Sequence, residues 1–316
     1  MEKQVAAIVV TYNRKELLRE NIESLLGQTC KKNMDIIIVD NASTDGTREF
    51  ISAYIDRGDV IYLNTGANLG GAGGFQFGVR YATEQNYCFI WLMDDDCIPV
   101  PNALEELLKW NKRLKGRYGF LSSKAVWTDG NVCKMNIHGI GVRKRVSDYD
   151  KPITKIITAT FVSFFMPSRV VRKVGLPIKE FFIWCDDLEY SRRISKHYPC
   201  YLVTSSVAVH KCSTNIGSNI SRDTPDRLDR YNYAYRNEVY YYRHSGISGN
   251  IYFILRLCQH VLKVLLFSDC CKLKRLSIIF KATLKGIFFL PKVEYVGGDP
   301  RQRRNSRKKP KNHRRG

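Results

Sequence analysis

The run YCFIWLMDDDCIP, Tyr87–Pro99, poses a problem of charge. Cys88 to Met93 reads as a buried strand, yet it ends on three carboxylates, Asp94, Asp95 and Asp96. Adjacent carboxylates repel one another, and buried ones persist only when paired or bound to a cation. Either the chain breaks into solvent at Asp94 or positive charge waits at the end of the strand. The segments before it share the pattern. Val5 to Val10 is a continuous, β-branched-rich apolar run, as in a strand buried on both faces. A helix follows, with Leu18, Ile22, Leu25 and Leu26 on one face. MDIIIVDNASTDGT is a second strand running into a turn, then a helix spans Arg48 to Arg57 and a short strand Val60 to Leu63. A glycine-rich loop entering a helix precedes Tyr87. Strand alternating with helix predicts an α/β fold, a Rossmann-like, mostly parallel sheet flanked by helices. Ligands of such sheets sit beyond the carboxyl ends of the strands, where Thr11 to Arg14, Asp40 and Asp94 to Asp96 converge.

The 316 residues carry a formal charge of +21, unevenly placed. Ile247 to Gly316 holds seventeen Lys or Arg against three acids, which points that end toward an acidic partner surface. The ten cysteines include no CxxC pair, which argues against a zinc ribbon or a redox motif. MEKQVAAIVV has no secretory cleavage pattern and reads as a first strand, so reduced thiols in a cytosolic protein are expected.

Several groups offer chemistry. The first and third acids of a bent DDD can reach one divalent cation, the alternative being a solvated turn or helix start. GANLGGAGGFQFG matches neither G-x-G-x-x-G nor the Walker pattern. Its glycines at 70, 71, 73 and 74 permit close backbone approach and a helix N-terminus facing an anion, or simply a tightly packed helix. Asp40, Asn41 and Ser43 offer acceptors and donors to a base or ribose, or cap the next helix. FFIWCDDLEY sets Asp186 and Asp187 after Phe181, Phe182 and Trp184. Apolar surroundings raise a carboxylate toward the range useful for a general base, although one Asp could be an N-cap with Glu189 in the first turn. His210 ends the strand YLVTSSVAVH, where a lone His is ordinarily structural.

Taken in order, VTYNR, VDNASTDGT, NLGGAGGFQFG, WLMDDD, FIWCDDLEY and VAVH resemble the inverting, nucleotide-sugar-dependent glycosyltransferases of family 2, which have the GT-A fold. The resemblance runs from about Ala6 to Ser245 and is nearest the galactofuranosyltransferase branch, with rhamnosyltransferases close by. It implies that Thr11, Asn13, Arg14 and Asp40 hold the nucleotide, joined by Asn41, Asn68, Gly70, Gly73 and Asp95. It also implies Asp94, Asp96 and His210 as ligands of Mn²⁺ or Mg²⁺, and Asp187 as the catalytic base. The acceptor is expected against Trp184, Asp186 and Glu189, with Cys185 a departure from related boxes. RYNYAYRNEVYYYRH resembles a Tyr-rich stretch of bacterial members, in which Arg236 and Asn237 have no defined role. The donor implied is UDP-galactofuranose or, as the alternative, dTDP-rhamnose, and the acceptor a glycan or lipid-linked glycan.

The expected organisation is a catalytic domain over 1–245, an amphipathic helical extension over 246–295 and a basic disordered tail over 296–316. Ile251 to Phe267 is apolar apart from a stripe of Arg256, Gln259, His260 and Lys263, and Leu276 to Leu290 repeats the pattern with Ser277, Lys281 and Lys285. Such helices are expected to lie in a membrane interface, the basic tail adding attraction to an anionic cytoplasmic leaflet; the alternative is packing on the catalytic domain. A nucleic-acid partner is not expected, because the body offers no recognised binding module and its acids converge on one face.

Overall fold

A computed structural model describes residues 4–141 and 143–298. Strands β1 (Val5–Thr11), β2 (Met34–Asp40), β3 (Val60–Asn64) and β4 (Phe89–Asp94) alternate with helices α1 (Lys15–Leu26), α2 (Thr47–Phe50), α3 (Ser52–Asp56) and α4 (Gly70–Glu84). All pairings among these four strands are parallel, in the order β3-β2-β1-β4. Alternate residues of β1 face opposite layers. Ala6, Ile8 and Val10 pack with Phe75 and Val79 of α4, while Val5, Ala7 and Val9 pack with Leu18, Ile22 and Leu25 of α1. Burial on both faces explains the continuous apolar runs.

Beyond β4 the sheet becomes mixed. β5 (Cys97–Pro99), α5 (Ala103–Arg113), β6 (Leu121–Val126), β7 (Ile153–Ile156), β8 (Phe164–Pro167), α6 (Ser168–Val174), α7 (Asp186–Ser195) and β9 (Cys200–His210) complete it. The path continues β4-β8-β6-β9-β5, with β7 also on β9; of these pairs only β6 and β9 run parallel. The parallel α/β half is thus the nucleotide-sized N-terminal portion, and the second half brings antiparallel strands to its edge.

Three helices follow: α8 (Tyr231–Arg243), α9 (Gly246–Phe267) and α10 (Lys272–Ile287). They share a cluster of Leu228, Tyr231, Tyr235, Val264, Ile279 and Ala282. Two members of the α9 stripe point inward: Arg256 pairs with Glu238 of α8 at 2.8 Å, and His260 Nδ1 lies 2.8 Å from the Tyr235 hydroxyl. Val264 is buried beside them, while other apolar residues of α9 face out, Ile247 being 80% exposed and Leu266 70%. The extension therefore packs on the domain, the second of the two expected alternatives, and also presents an uncovered apolar surface. The basic tail expected from 296 onward lies outside the described residues from 299.

Candidate active site

The answer to the acid triplet is a tight turn between two strands that do not pair with each other. β4 ends at Asp94, Asp95 and Asp96 make the turn, and β5 runs back antiparallel to β9. The register pairs Cys97 with His210, which seats the imidazole beside Asp96. On the other side Asp94 pairs with Val10 and Asp40 with Thr11, so three neighbouring strands deliver their ends to one edge.

Positive charge does meet the acids. Arg14 Nη1 donates to Asp96 Oδ2 at 2.7 Å and to Asp95 Oδ1 at 3.3 Å, and Thr11 Oγ1 donates to Asp95 Oδ2 at 2.8 Å. Asp95 thereby has both oxygens engaged within the protein and secures the turn. Asp96 Oδ1 is left buried without a hydrogen-bond partner, although His210 Nε2 lies 3.2 Å away. An orphaned buried carboxylate oxygen calls for an explanation. Asp94, Asp96 and His210 supply one ligand atom each within 4.8 Å of one another, a set suited to a divalent cation. The fit extends outward. Asn136 Oδ1 lies 2.8 Å from His210 Nδ1, and accepting that proton leaves the Nε2 lone pair toward the acids. Without a cation the site is frustrated. Burial and the neighbouring Asp96 charge push Asp94 up to about 8. Burial alone would lower His210, but Asp96, Cys133 and Asp94 carry it up to about 10.

The nucleotide residues expected nearby form a rim. Asp40 is buried, with Oδ1 accepting from the Ser43 amide at 2.8 Å and Oδ2 from the Tyr62 hydroxyl at 2.5 Å. Asn13, at φ 54°, ties the β1 loop to the β2 loop through Ser43 and Thr44. Asn41 Nδ2 donates to the Gly70 carbonyl at 3.1 Å, while its Oδ1 is buried and unpaired. The glycine segment departs from expectation. Asn68 Oδ1 accepts the Gly70 amide and the Phe182 carbonyl accepts the Ala72 amide, so these N–H groups are not presented to an anion. Gly70 has φ +69°, and a Cβ there would fall 2.2 Å from the Phe182 oxygen; one on Gly73 would meet Leu69 at 2.5 Å. Both glycines permit packing within the protein. Gly70 is the one that lets the Phe182 loop lie against α4.

That loop carries the second acid pair. Phe182, Trp184 and Cys185 all have positive φ, of 63°, 68° and 64°, which costs energy unless the surroundings impose it. Asn237 of α8, fully buried, imposes it: Nδ2 reaches the carbonyls of Phe181, Ile183 and Trp184 at 2.9, 3.0 and 2.9 Å. Arg236 Nη2 adds donation to the Glu180 and Phe181 carbonyls. Trp184 packs edge-on against Tyr231, with ring centroids 5.0 Å apart. The loop ends in α7, whose first two residues are Asp186 and Asp187. Asp187 is raised to about 6 by burial, against the Leu188 amide, which donates to it at 2.6 Å. Asp186 is pushed well above the carboxylate range by burial, by Asp187 and by the charge of Asp94. Glu189 must be corrected. Both its oxygens accept from Arg193, at 3.0 Å to Nε and 2.8 Å to Nη2, and Arg193 also donates to the Val174 and Leu176 carbonyls. Glu189 is a brace for α7 and is not available to an acceptor.

Sequence reading missed Asn136 and left Asn237 without a role; the only signal was the Arg-Asn pair amid tyrosines. Replacing Asn237 with Ala is expected to lower kcat by about 10²-fold, the cost of misplacing a reacting group by about 1 Å. UDP affinity should hold, and the pH at which the rate half-falls should shift as the Asp187 surroundings loosen. A variant with normal kcat would show that the loop holds its shape unaided.

Residues 6–117 match the model of Glycosyl transferase family 2. The galactofuranosyltransferase GlfT1 of Mycolicibacterium smegmatis is 25% identical over 266 residues, spanning 77% of this chain and 84% of that protein. The abequosyltransferase RfbV of Salmonella typhimurium is 40% identical over 95 residues, 29% of this chain and 28% of its own length. Among solved structures, S. aureus TarS 1–349 overlays with a TM-score of 0.52 at 14% identity, covering 90% of this chain and 72% of that one. GalNAc-T7 with UDP, GalNAc and Mn²⁺ overlays with a TM-score of 0.57 at 16% identity, covering 76% and 50%. The acid turn, the strand-end edge and these likenesses agree: residues 6–117 form a glycosyltransferase family 2 domain, and the chain has the GT-A fold.

Proposed function

We propose that this glycosyltransferase moves galactofuranose from UDP-galactofuranose onto a hydroxyl of a lipid-linked glycan, with inversion, using Mn²⁺ or Mg²⁺. The observation that carries the reading is the strand-end cluster of Asp94, Asp96 and His210, whose ligand atoms lie within 4.8 Å of one another. A solved neighbour, TarS, binds UDP and UDP-GlcNAc, which favours a uridine nucleotide, and the GlfT1 relatives favour the sugar. dTDP-rhamnose remains the alternative donor.

The division of labour follows from environment. A divalent cation held by Asp94, Asp96 and His210 supplies neutralisation of the charge that builds on a departing diphosphate. Arg14, half-exposed at the same edge, adds positive charge. Asp187, ionised above about pH 6, takes the proton of the attacking hydroxyl, while Asp186 keeps its own proton and can donate a hydrogen bond to the acceptor. Trp184, fixed by Tyr231, forms the apolar wall beside them. Incubation with a panel of sugar nucleotides, with and without Mn²⁺ or Mg²⁺, tests this. Cation-dependent turnover confined to UDP-galactofuranose supports it, and turnover of another donor replaces the sugar.

The same reading places the enzyme on the cytoplasmic face of a membrane. α9 is 22 residues long, long and apolar enough to cross a bilayer, but Arg256 and His260 tie it to α8 and hold it along the domain. The outward face then suits the interface of an anionic bilayer, which the seventeen Lys and Arg after Ser245 also favour. Replacing Leu262 and Leu266, 56% and 70% exposed, with Glu should cut vesicle binding at least tenfold, because each buried leucine contributes about 1.5–3 kcal/mol. Co-flotation with phosphatidylglycerol vesicles is the measurement; unchanged binding would assign that face to a protein partner.

A further inference from the structure

We infer that Cys133, Cys212 and the Nδ1 side of His210 form a second metal site, selective for a thiophilic cation such as Zn²⁺. The three ligand atoms lie within 4.8 Å of one another. Cys133 Sγ is 3.9 Å from Cys212 Sγ and 3.7 Å from His210 Nδ1. Zinc bonds of about 2.3 Å to sulfur and about 2.0–2.1 Å to nitrogen set tetrahedral edges of about 3.8 Å between sulfurs and about 3.6 Å between sulfur and nitrogen. The side chains already stand near those edges, with no ion to draw them together.

The placement has a structural cause. Cys133 hangs on the connection after β6, where its amide bonds the Ala125 carbonyl, and Asn136 follows in the same turn. Cys212 lies just past the end of β9, its carbonyl accepting from the Trp127 indole at 2.8 Å. Parallel pairing of β6 with β9 brings the two together beside His210. Cys133 is fully buried and Cys212 half-buried, which leaves an approach from the Cys212 side. Sulfur ligands favour Zn²⁺ over Mn²⁺ or Mg²⁺, whereas the carboxylates on the opposite ring edge also suit the harder Mn²⁺ and Mg²⁺.

One imidazole serves both edges, and a neutral imidazole has a single in-plane lone pair. With the proton on Nδ1, given to Asn136, the lone pair faces Asp96; with zinc on Nδ1, the proton moves to Nε2 and faces Asp96 instead. Zinc in the thiol site therefore withdraws His210 from the carboxylate site. This antagonism rests on the proposed function; the zinc site does not.

Cobalt(II) is the probe, added to the full-length protein under a phosphine reductant. A thiolate-to-cobalt charge-transfer band is expected at one equivalent, erased by an equivalent of Zn²⁺. The band should vanish in Cys133→Ser and in Cys212→Ser, each confirmed as folded by circular dichroism, and persist in Asp94→Asn with Asp96→Asn. The half-buried position makes Cys212→Ser the safer of the two variants. No band in the wild type, or one that survives both cysteine replacements, would overturn the site. Loss of the band in the carboxylate variant would show that the thiols do not hold cobalt without the strand-end acids, and would overturn a separate site equally. Manganese titration with and without bound zinc then reads the antagonism separately.

Discussion

Asp187→Asn is expected to lower sugar transfer by about 10²–10⁴-fold, the usual worth of a positioned general base, with UDP binding intact. The isosteric amide keeps the volume and the contact with the Leu188 amide at 2.6 Å but has no basic oxygen to receive a proton. The pH profile supplies an independent check. Because burial raises Asp187 to about 6, the active carboxylate form is lost as pH falls through that value, and kcat/KM should decline about tenfold per unit below it. The acid limb should report Asp187, since Asp186 is pushed well above the usual carboxylate range by burial and by the charge of Asp187. In Asp187→Asn the limb should disappear together with the rate. Normal turnover in that variant, or a flat profile through pH 6, would remove Asp187 from the reaction.

The second large effect lies at the acid turn. Asp94→Asn and Asp96→Asn together should abolish cation-enhanced UDP binding and cost on the order of 10³-fold in turnover, since electrostatic relief of the leaving group supplies several kcal/mol. Asparagine is preferable to alanine here. Asp96 answers the charge of Arg14 at 2.7 Å and of His210 at 3.2 Å, and deleting the side chain would leave cations facing a void. Calorimetry of UDP with and without Mn²⁺, on wild type and variant, measures the effect. Equal enhancement in both would show that these carboxylates do not hold the ion, and the proposed reaction would lose its electrostatic basis.

The two acid groups differ in how they are made. Asp94 to Asp96 sit at the end of a strand whose apolar run announces it, so their position at a ligand-binding edge could be read from residues alone. Asp187 needs more. Its loop has three residues at positive φ, a conformation that nothing in Phe182, Trp184 or Cys185 favours, and Asn237 from a helix fifty residues later holds it there. Glu189 illustrates the converse. In sequence it is one more acid in a promising box; in the fold it belongs to Arg193, four residues on along the same helix.

Apolar runs, their two-sided burial, the alternation of strand with helix and the acids at the ends of β2 and β4 are local properties, written in residue type and spacing, and the chain displays them before it folds. The rest depends on partners distant in sequence. The register of β5 on β9 sets His210 against Asp96, and the pairing of β6 with β9 gathers Cys133, Asn136 and Cys212 around the same ring. The inward turn of Arg256 and His260 on α9 likewise awaits Glu238 and Tyr235 of α8. Strand register and helix docking are fixed by the summed burial of many side chains from separate segments, so no single stretch contains the information that aims these groups at one another.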